Sequence, residues 1–396
     1  MTNPVTAANE FVIARVREEF TRWCQEMPSV LDEQRVQAVR AVLATAFEAN
    51  PQTAARTWTF FRHVLSQRSG FDAVLLRRAD ACATDGYLAF GVKALAPPIV
   101  CLDLIDTPLS YMRSAVRAKT RALPIPVAFI PPHYLSCPWL LTTLHHEVGH
   151  ALERDLAISA ALDAAFASLD HVSDHARSTW RRWFVEIICD AFAVRLTGPA
   201  YAWSLATVLD QQEQWDEWND TSVHPPAAVR IPLLAAMARI LGSKTDLLSP
   251  LLDRARRGLE GYAGLPRELV TQAEAIAALV LTTNIPALGR SIADAGPMTR
   301  DDTSLIEGAV AALVERRPPP GAFPIRLAPA AAQIAILQSP CADTAAAIDH
   351  LVRDAMVPRW EETGEAPSEV GDKQRLAPAG AAITARSPGL RDEASS

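Results

Sequence analysis

The sequence predicts an α+β fold that is mainly helical and carries one small sheet. Three observations lead there. Apolar residues recur at helical spacing over residues 5–68 and again over 231–357. Three short apolar runs with strand character, 87–92, 99–104 and 126–130, lie between these stretches. They are followed by TTLHHEVGHAL at 142–152, where polar residues share one face of a helix.

Composition bounds the answer further. A chain of 396 residues can bury a large core. With 49% hydrophobic and 21% charged residues it has a globular balance. A net charge of -7 gives no electrostatic basis for binding nucleic acid. The six cysteines are scattered and form no CxxC, so free thiols in a reducing compartment are expected. No basic segment followed by an apolar run opens the chain, and the best apolar run, 275–281, is too short to span a membrane. A soluble, cytoplasmic protein without membrane or nucleic-acid partners is expected.

In chain order, residues 1–85 form an N-terminal helical region. Phe11, Val12, Val16, Phe20 and Trp23 make one apolar stripe, and Val36, Val39, Val42, Leu43 and Phe47 another. Pro28 and Asn50-Pro51 punctuate them, and packing or partner contact is the role expected. Residues 106–119 read as a helix or a long connection. Ser136-Cys137-Pro138 reads as a helix start, a capping Ser with Pro in the first turn, for a helix over 138–154.

On that helix His146 and His150 present two imidazole nitrogens to one metal ion, zinc by preference. Glu147 is one residue on, within reach of a water held by the metal. An amphipathic helix with surface histidines is the bland alternative. A third ligand is sought downstream. Residues 183–201 read as a helix ending at Gly198, with Pro199 opening the next. Glu186 and Asp190 share a face there, among Ile187, Ile188, Cys189 and Phe192. Two carboxylates in apolar surroundings need a partner, and a metal site supplies one. Glu186 is assigned as the third ligand. Asp190 would accept a hydrogen bond from the far nitrogen of a ligand histidine. Otherwise the two form a surface pair bridged to Arg181 or Arg182.

HEVGH followed by a helix with E-x-x-x-D resembles the gluzincin group of zinc metallopeptidases, over residues 120–235. The stretch EIICDAFA also resembles soluble regulatory metallopeptidases. The resemblance implies two helices crossing at zinc, a zincin-like α+β catalytic core over 86–240, and hydrolysis of peptide bonds. In zincins an edge strand before the metal-binding helix pairs with extended substrate. Residues 126–130 are either that strand or a plain internal one.

The segment TSVHPPAAVRI at 221–231 resembles one that follows the third ligand in membrane-bound prenyl-protein and heat-shock zinc peptidases. Pro225-Pro226 would stiffen the chain and fix His224. A fixed His224 or Arg230 beside zinc can stabilise an oxyanion, and Tyr201 can donate a hydrogen bond to it. The bland readings are a loop His224 capping the next helix and an ordinary helix-start Arg230. His171 and His175 read as a solvated helix start. His145 points off the ligand face, and His63, His133 and His350 have no constellation.

The expected protein is therefore a zinc-dependent peptidase acting on a peptide or protein substrate. His146, His150 and Glu186 hold the metal, and Glu147 and His224 are catalytic. The alternative is a non-catalytic zinc-binding helical scaffold or regulatory interaction protein. A helical region over 241–358 and a disordered tail over 359–396 complete the chain.

Overall fold

The computed structural model describes residues 4–26, 31–70, 72–93, 95–111, 123, 125–167, 172–215, 219–259, 264–296, 300–317 and 323–355. It is mainly helical with one three-stranded sheet.

The chain begins with α1 (Pro4–Glu26), α2 (Glu33–Ala49) and α3 (Pro51–Ser66). Local chemistry sets their ends. The Asp32 side chain accepts from the Arg35 amide and starts α2. Asn50 closes α2 and its side chain accepts from the Thr53 amide, so one residue ends a helix and caps the next, with Pro51 in its first turn. Phe20 meets Phe47 and Trp58 at ring-centroid distances of 5.6 and 5.2 Å.

The stretch 87–92 is not a strand. It is the end of α4 (Ala73–Leu88) and the turn beyond it. Leu76, Ala79, Ala83, Tyr87 and Phe90 follow a helical period and are all buried. The Phe90 ring packs edge-on against Phe192 at 4.7 Å. Burial along one helix face overrides the strand propensity of the local run.

The sheet comprises β1 (Ile99–Leu102), β2 (Leu109–Tyr111) and β3 (Val127–Ile130), in the order β1-β3-β2. β3 lies in the middle, parallel to β1 and antiparallel to β2. The run 126–130 is therefore the internal strand, and the edges are β1 and β2, of which β2 lines the cleft described below. That strand falls in the stretch expected as a helix or connection, of which residues 112–119 lie outside the described residues. Val100, Ala128 and Ile130 face the large core, while Ile99, Cys101, Val127 and Phe129 face the N-terminal helices. Cover on both faces explains why these runs are continuously apolar.

The helix expected over 138–154 is in pieces. Two 3-10 turns, Pro132–Leu135 and Pro138–Thr142, precede α5 (Leu144–Leu156). Ser136 closes the first turn, and the second starts at Cys137 without a side-chain cap. At the junction the Leu140 carbonyl accepts from both the amide and the hydroxyl of Thr143, at 3.0 and 2.7 Å.

α6 (Ile158–Ala167) leads to α7 (Asp174–Thr197), which Ser173 caps through the Ala176 amide. Gly198, at φ 60°, ends α7, and α8 (Ala200–Gln211) and α9 (Ala227–Ile240) follow. The C-terminal region adds α10 (Ser249–Gly258), α11 (Arg267–Thr282), α12 (Ile292–Ala295), α13 (Arg300–Val314), α14 (Ala328–Gln338) and α15 (Ala342–Ala355). It packs into the same core as α5 and α7. Among the described residues no helix is long and apolar enough to cross a membrane. The cysteines are free thiols. The tail over 359–396 and His171 lie outside the described residues.

Candidate metal centre

α5 and α7 cross at Gly149. A Cβ there would lie 2.8 Å from the Cα of Cys189, so only glycine lets the helices approach this closely. Cys189 lies between Glu186 and Asp190 in the sequence. The close approach carries both carboxylates to the histidine face of α5.

His146 Nε2 is 3.1 Å from Glu186 Oε2, and His150 Nε2 is 3.6 Å from Glu186 Oε1. The two imidazole rings are nearly perpendicular, at 86°, with centroids 5.0 Å apart. His224 Nε2 is 3.3 Å from Glu186 Oε2. The His224 loop is held to α7 by the Trp183 indole, which donates to the Ser222 carbonyl at 2.9 Å. His224 does not cap α9, whose first turn has no side-chain cap. Nor do Glu186 and Asp190 bridge to Arg181 or Arg182. Arg181 pairs with Asp163, and Arg182 donates to Thr179.

Asp190 is fully buried behind His146. Its Oδ1 accepts from His146 Nδ1 at 2.9 Å, from the Tyr201 hydroxyl at 2.5 Å and from Arg230 Nη2 at 2.7 Å. Its Oδ2 accepts from Arg230 Nε at 2.7 Å. A proton on His146 Nδ1 leaves Nε2 as the nitrogen turned to the cleft. Tyr201 and Arg230 thus bond to Asp190, on the Nδ1 side of His146. Both also line the cleft wall.

Burial and the neighbouring charges act against each other on these groups. Burial works against charge on His146, but the bonds to Asp190 and Glu186 overcome it and carry its pKa up to about 10. Burial likewise works against the Glu186 charge, and His146 and His224 nevertheless hold its carboxyl far below the usual range. For Asp190 the Arg230 guanidinium more than offsets burial and brings the pKa down to about 2. His150 is lowered by burial and by the neighbouring His146.

A donor that sequence reasoning missed also converges here. His146, His150 and Cys189 present ligand atoms within 4.8 Å of one another. Metal binding needs the thiolate. Burial, and then Glu186, Glu147 and Asp190, push the Cys189 thiol well above its ordinary value. The Glu186 carboxylate lies on the same histidines, at 3.1 and 3.6 Å.

Glu147 is buried and lines the cleft with the two histidines. Its Oε2 accepts a hydrogen bond from Ser110 of β2 at 2.6 Å. Ser110 was not legible as a site residue, because its motif is only a Leu-Ser-Tyr run far from HEVGH. The cleft of about 550 Å³ is also lined by Leu205, Val208 and Leu209 of α8. His145 turns away into the core, with Nε2 3.2 Å from the Arg326 carbonyl. Burial lowers its pKa to about 4. His63, His133, His175 and His350 are exposed and do not line the cleft. None of the protein families, curated proteins or solved structures with which the chain was compared matches it.

Proposed function

We propose that the chain is a zinc-dependent peptidase with a zincin-like, gluzincin-type catalytic core. One juxtaposition carries the reading. His146, Glu147 and His150 of α5 and Glu186 of α7 line one cleft, with edge strand β2 at its side. Two imidazoles and a carboxylate fit zinc, the ligand number and types of a catalytic centre that keeps a position open. Zinc bound there would supply a Lewis acid that acidifies water and polarises a carbonyl.

The chain's own groups do the rest. Glu147 Oε1 accepts no hydrogen bond from any described residue, so it is the atom that takes the water's proton and passes it to the leaving amine. His224, with a side chain 57% exposed at the rim, donates to the oxygen that gains charge. β2 offers main-chain groups to an extended peptide. Free thiols suit a reducing, cytoplasmic setting.

One observation favours a different reading, a non-catalytic zinc site. Cys189 beside His146, His150 and Glu186 makes four donors, the number that closes a structural site. Glu147 argues against it, because a structural site has no use for a base lining the same cleft.

The test is metal analysis combined with hydrolysis of labelled casein by wild type and Glu147→Gln. One zinc per chain is expected in both. Hydrolysis by the variant should fall by about a hundred- to ten-thousandfold at near-native thermal stability. A variant that hydrolyses casein as fast as wild type rules out the peptidase, and a chain without metal rules out the centre itself.

A further inference from the structure

We infer that Ser110 positions Glu147, so that an edge strand and not the metal-binding helix sets where the proposed base points. The inference rests on the peptidase reading. Its geometry begins with the pairing of β2 on β3, where Ser110 stands opposite Ala128, with Leu109 opposite Phe129 and Tyr111 opposite Val127. Side chains alternate along a strand. Tyr111 packs on Phe129 at 5.1 Å, against the N-terminal helices. Ser110 therefore emerges on the other face, toward α5. A slip of one residue would put Leu109 or Tyr111 at Glu147 and turn the hydroxyl away.

Ser110 Oγ lies 2.6 Å from Glu147 Oε2 and 3.2 Å from the Glu147 carbonyl oxygen. A hydroxyl has one proton to donate. The shorter contact, to a carboxylate, takes it as a charge-assisted bond. The 3.2 Å approach to the carbonyl oxygen is then a packing contact and not a second bond. A glutamate side chain has three rotatable bonds, and nothing else among the described residues holds this carboxylate by a hydrogen bond. With Oε2 held, Oε1 is the carboxylate oxygen that no described residue engages by a hydrogen bond. Ser110 lines the same cleft as Glu147, and touches Glu147 rather than the ligand set. It is a positioning residue.

The experiment compares zinc-loaded wild type, Ser110→Ala, Ser110→Thr and Glu147→Gln on fluorescently labelled casein, with zinc content and thermal midpoint recorded for each. Ser110→Ala should lower kcat by about 10- to 100-fold, the cost of a misplaced catalytic group, with little change in KM or zinc content. Ser110→Thr keeps the hydroxyl and suits a strand, so it should restore most of kcat. A residue that merely stabilised β2 would instead raise KM or lower the thermal midpoint, and Thr would not selectively restore kcat. Wild-type kcat in Ser110→Ala, with Glu147→Gln inactive, overturns the inference and leaves the peptidase reading standing. Full hydrolysis by Glu147→Gln removes that reading and the inference with it. A crystal structure of zinc-loaded Ser110→Ala supplies a readout independent of turnover. The Glu147 carboxylate should leave its wild-type rotamer or populate several; a single unchanged rotamer overturns the inference.

Discussion

Gly149 and Cys189 meet where α5 crosses α7, so closely that a methyl group on Gly149 would stand 2.8 Å from the Cys189 Cα. The neighbour is backbone and cannot rotate away. Gly149→Ala must push the helices apart, at a cost of about 1–3 kcal/mol for overpacking. The helix propensity gained from Ala, about 1 kcal/mol, offsets only part of this. Urea unfolding of the metal-free variant should show a net loss, and zinc titration a weaker site, because Glu186 moves with α7. Native stability and native zinc affinity together would show that the crossing tolerates a side chain.

The Asp190–Arg230 pair makes a sharper test. Asp190→Ala should weaken zinc binding by about ten- to a hundredfold, since His146 loses the partner that orients it. It also leaves the buried Arg230 charge without its carboxylate, a loss of about 3–5 kcal/mol. Asp190→Ala/Arg230→Met removes both charges and should recover part of that stability. Equal stability of the single and double variants in urea would mean that Arg230 finds another partner.

Glu186 and Cys189 compete for the role of third ligand. Glu186→Gln should reduce zinc affinity by more than about a hundredfold, beyond what outer groups contribute. Cys189→Ala should leave zinc affinity within about threefold of wild type, on the ordinary range for a residue that is no ligand. Competition with a chromogenic chelator measures both. The reverse order would move the ligand set to His146, His150 and Cys189.

Cys341 does not line the cleft and is the exposed thiol of the chain. Hydrogen bonds, first from the Thr344 side chain, with Sγ and Oγ1 3.2 Å apart, lower its pKa to about 7. A lowered thiol pKa means thiolate at neutral pH and loss of reactivity as pH falls below 7. Iodoacetamide at pH 8 should alkylate Cys341 first, with a rate midpoint near pH 7, ahead of the buried Cys82, Cys101 and Cys189. A midpoint near 9, or equal labelling of Cys137, would contradict this.

Much of the helical architecture is legible without coordinates. Asn50-Pro51 and Gly198 mark ends through bonds to residues three or four away. Where the local reading fails, something distant wins. Residues 87–92 look like a strand until Phe90 is seen against Phe192. β3 is internal because it pairs with both β1 and β2, and β2, a three-residue strand, has too little pattern to announce itself.

The centre divides in the same way. By itself the sequence determined that His146 and His150 share a face with Glu147 beside them, because four residues along one helix is a local spacing. It also set Glu186 and Asp190 on one face of a second helix and required that they find a partner. Only the tertiary structure decided which partners they find. Glu186 meets His146 across 40 residues, and Arg230 grips Asp190 across another 40. Ser110 reaches Glu147 across 37 residues, and Cys189 arrives beside the histidines as a consequence of the same crossing. These contacts depend on how closely α5 and α7 approach and on the register of β2 against β3. Both are products of packing in the whole core, and no short window of residues contains them.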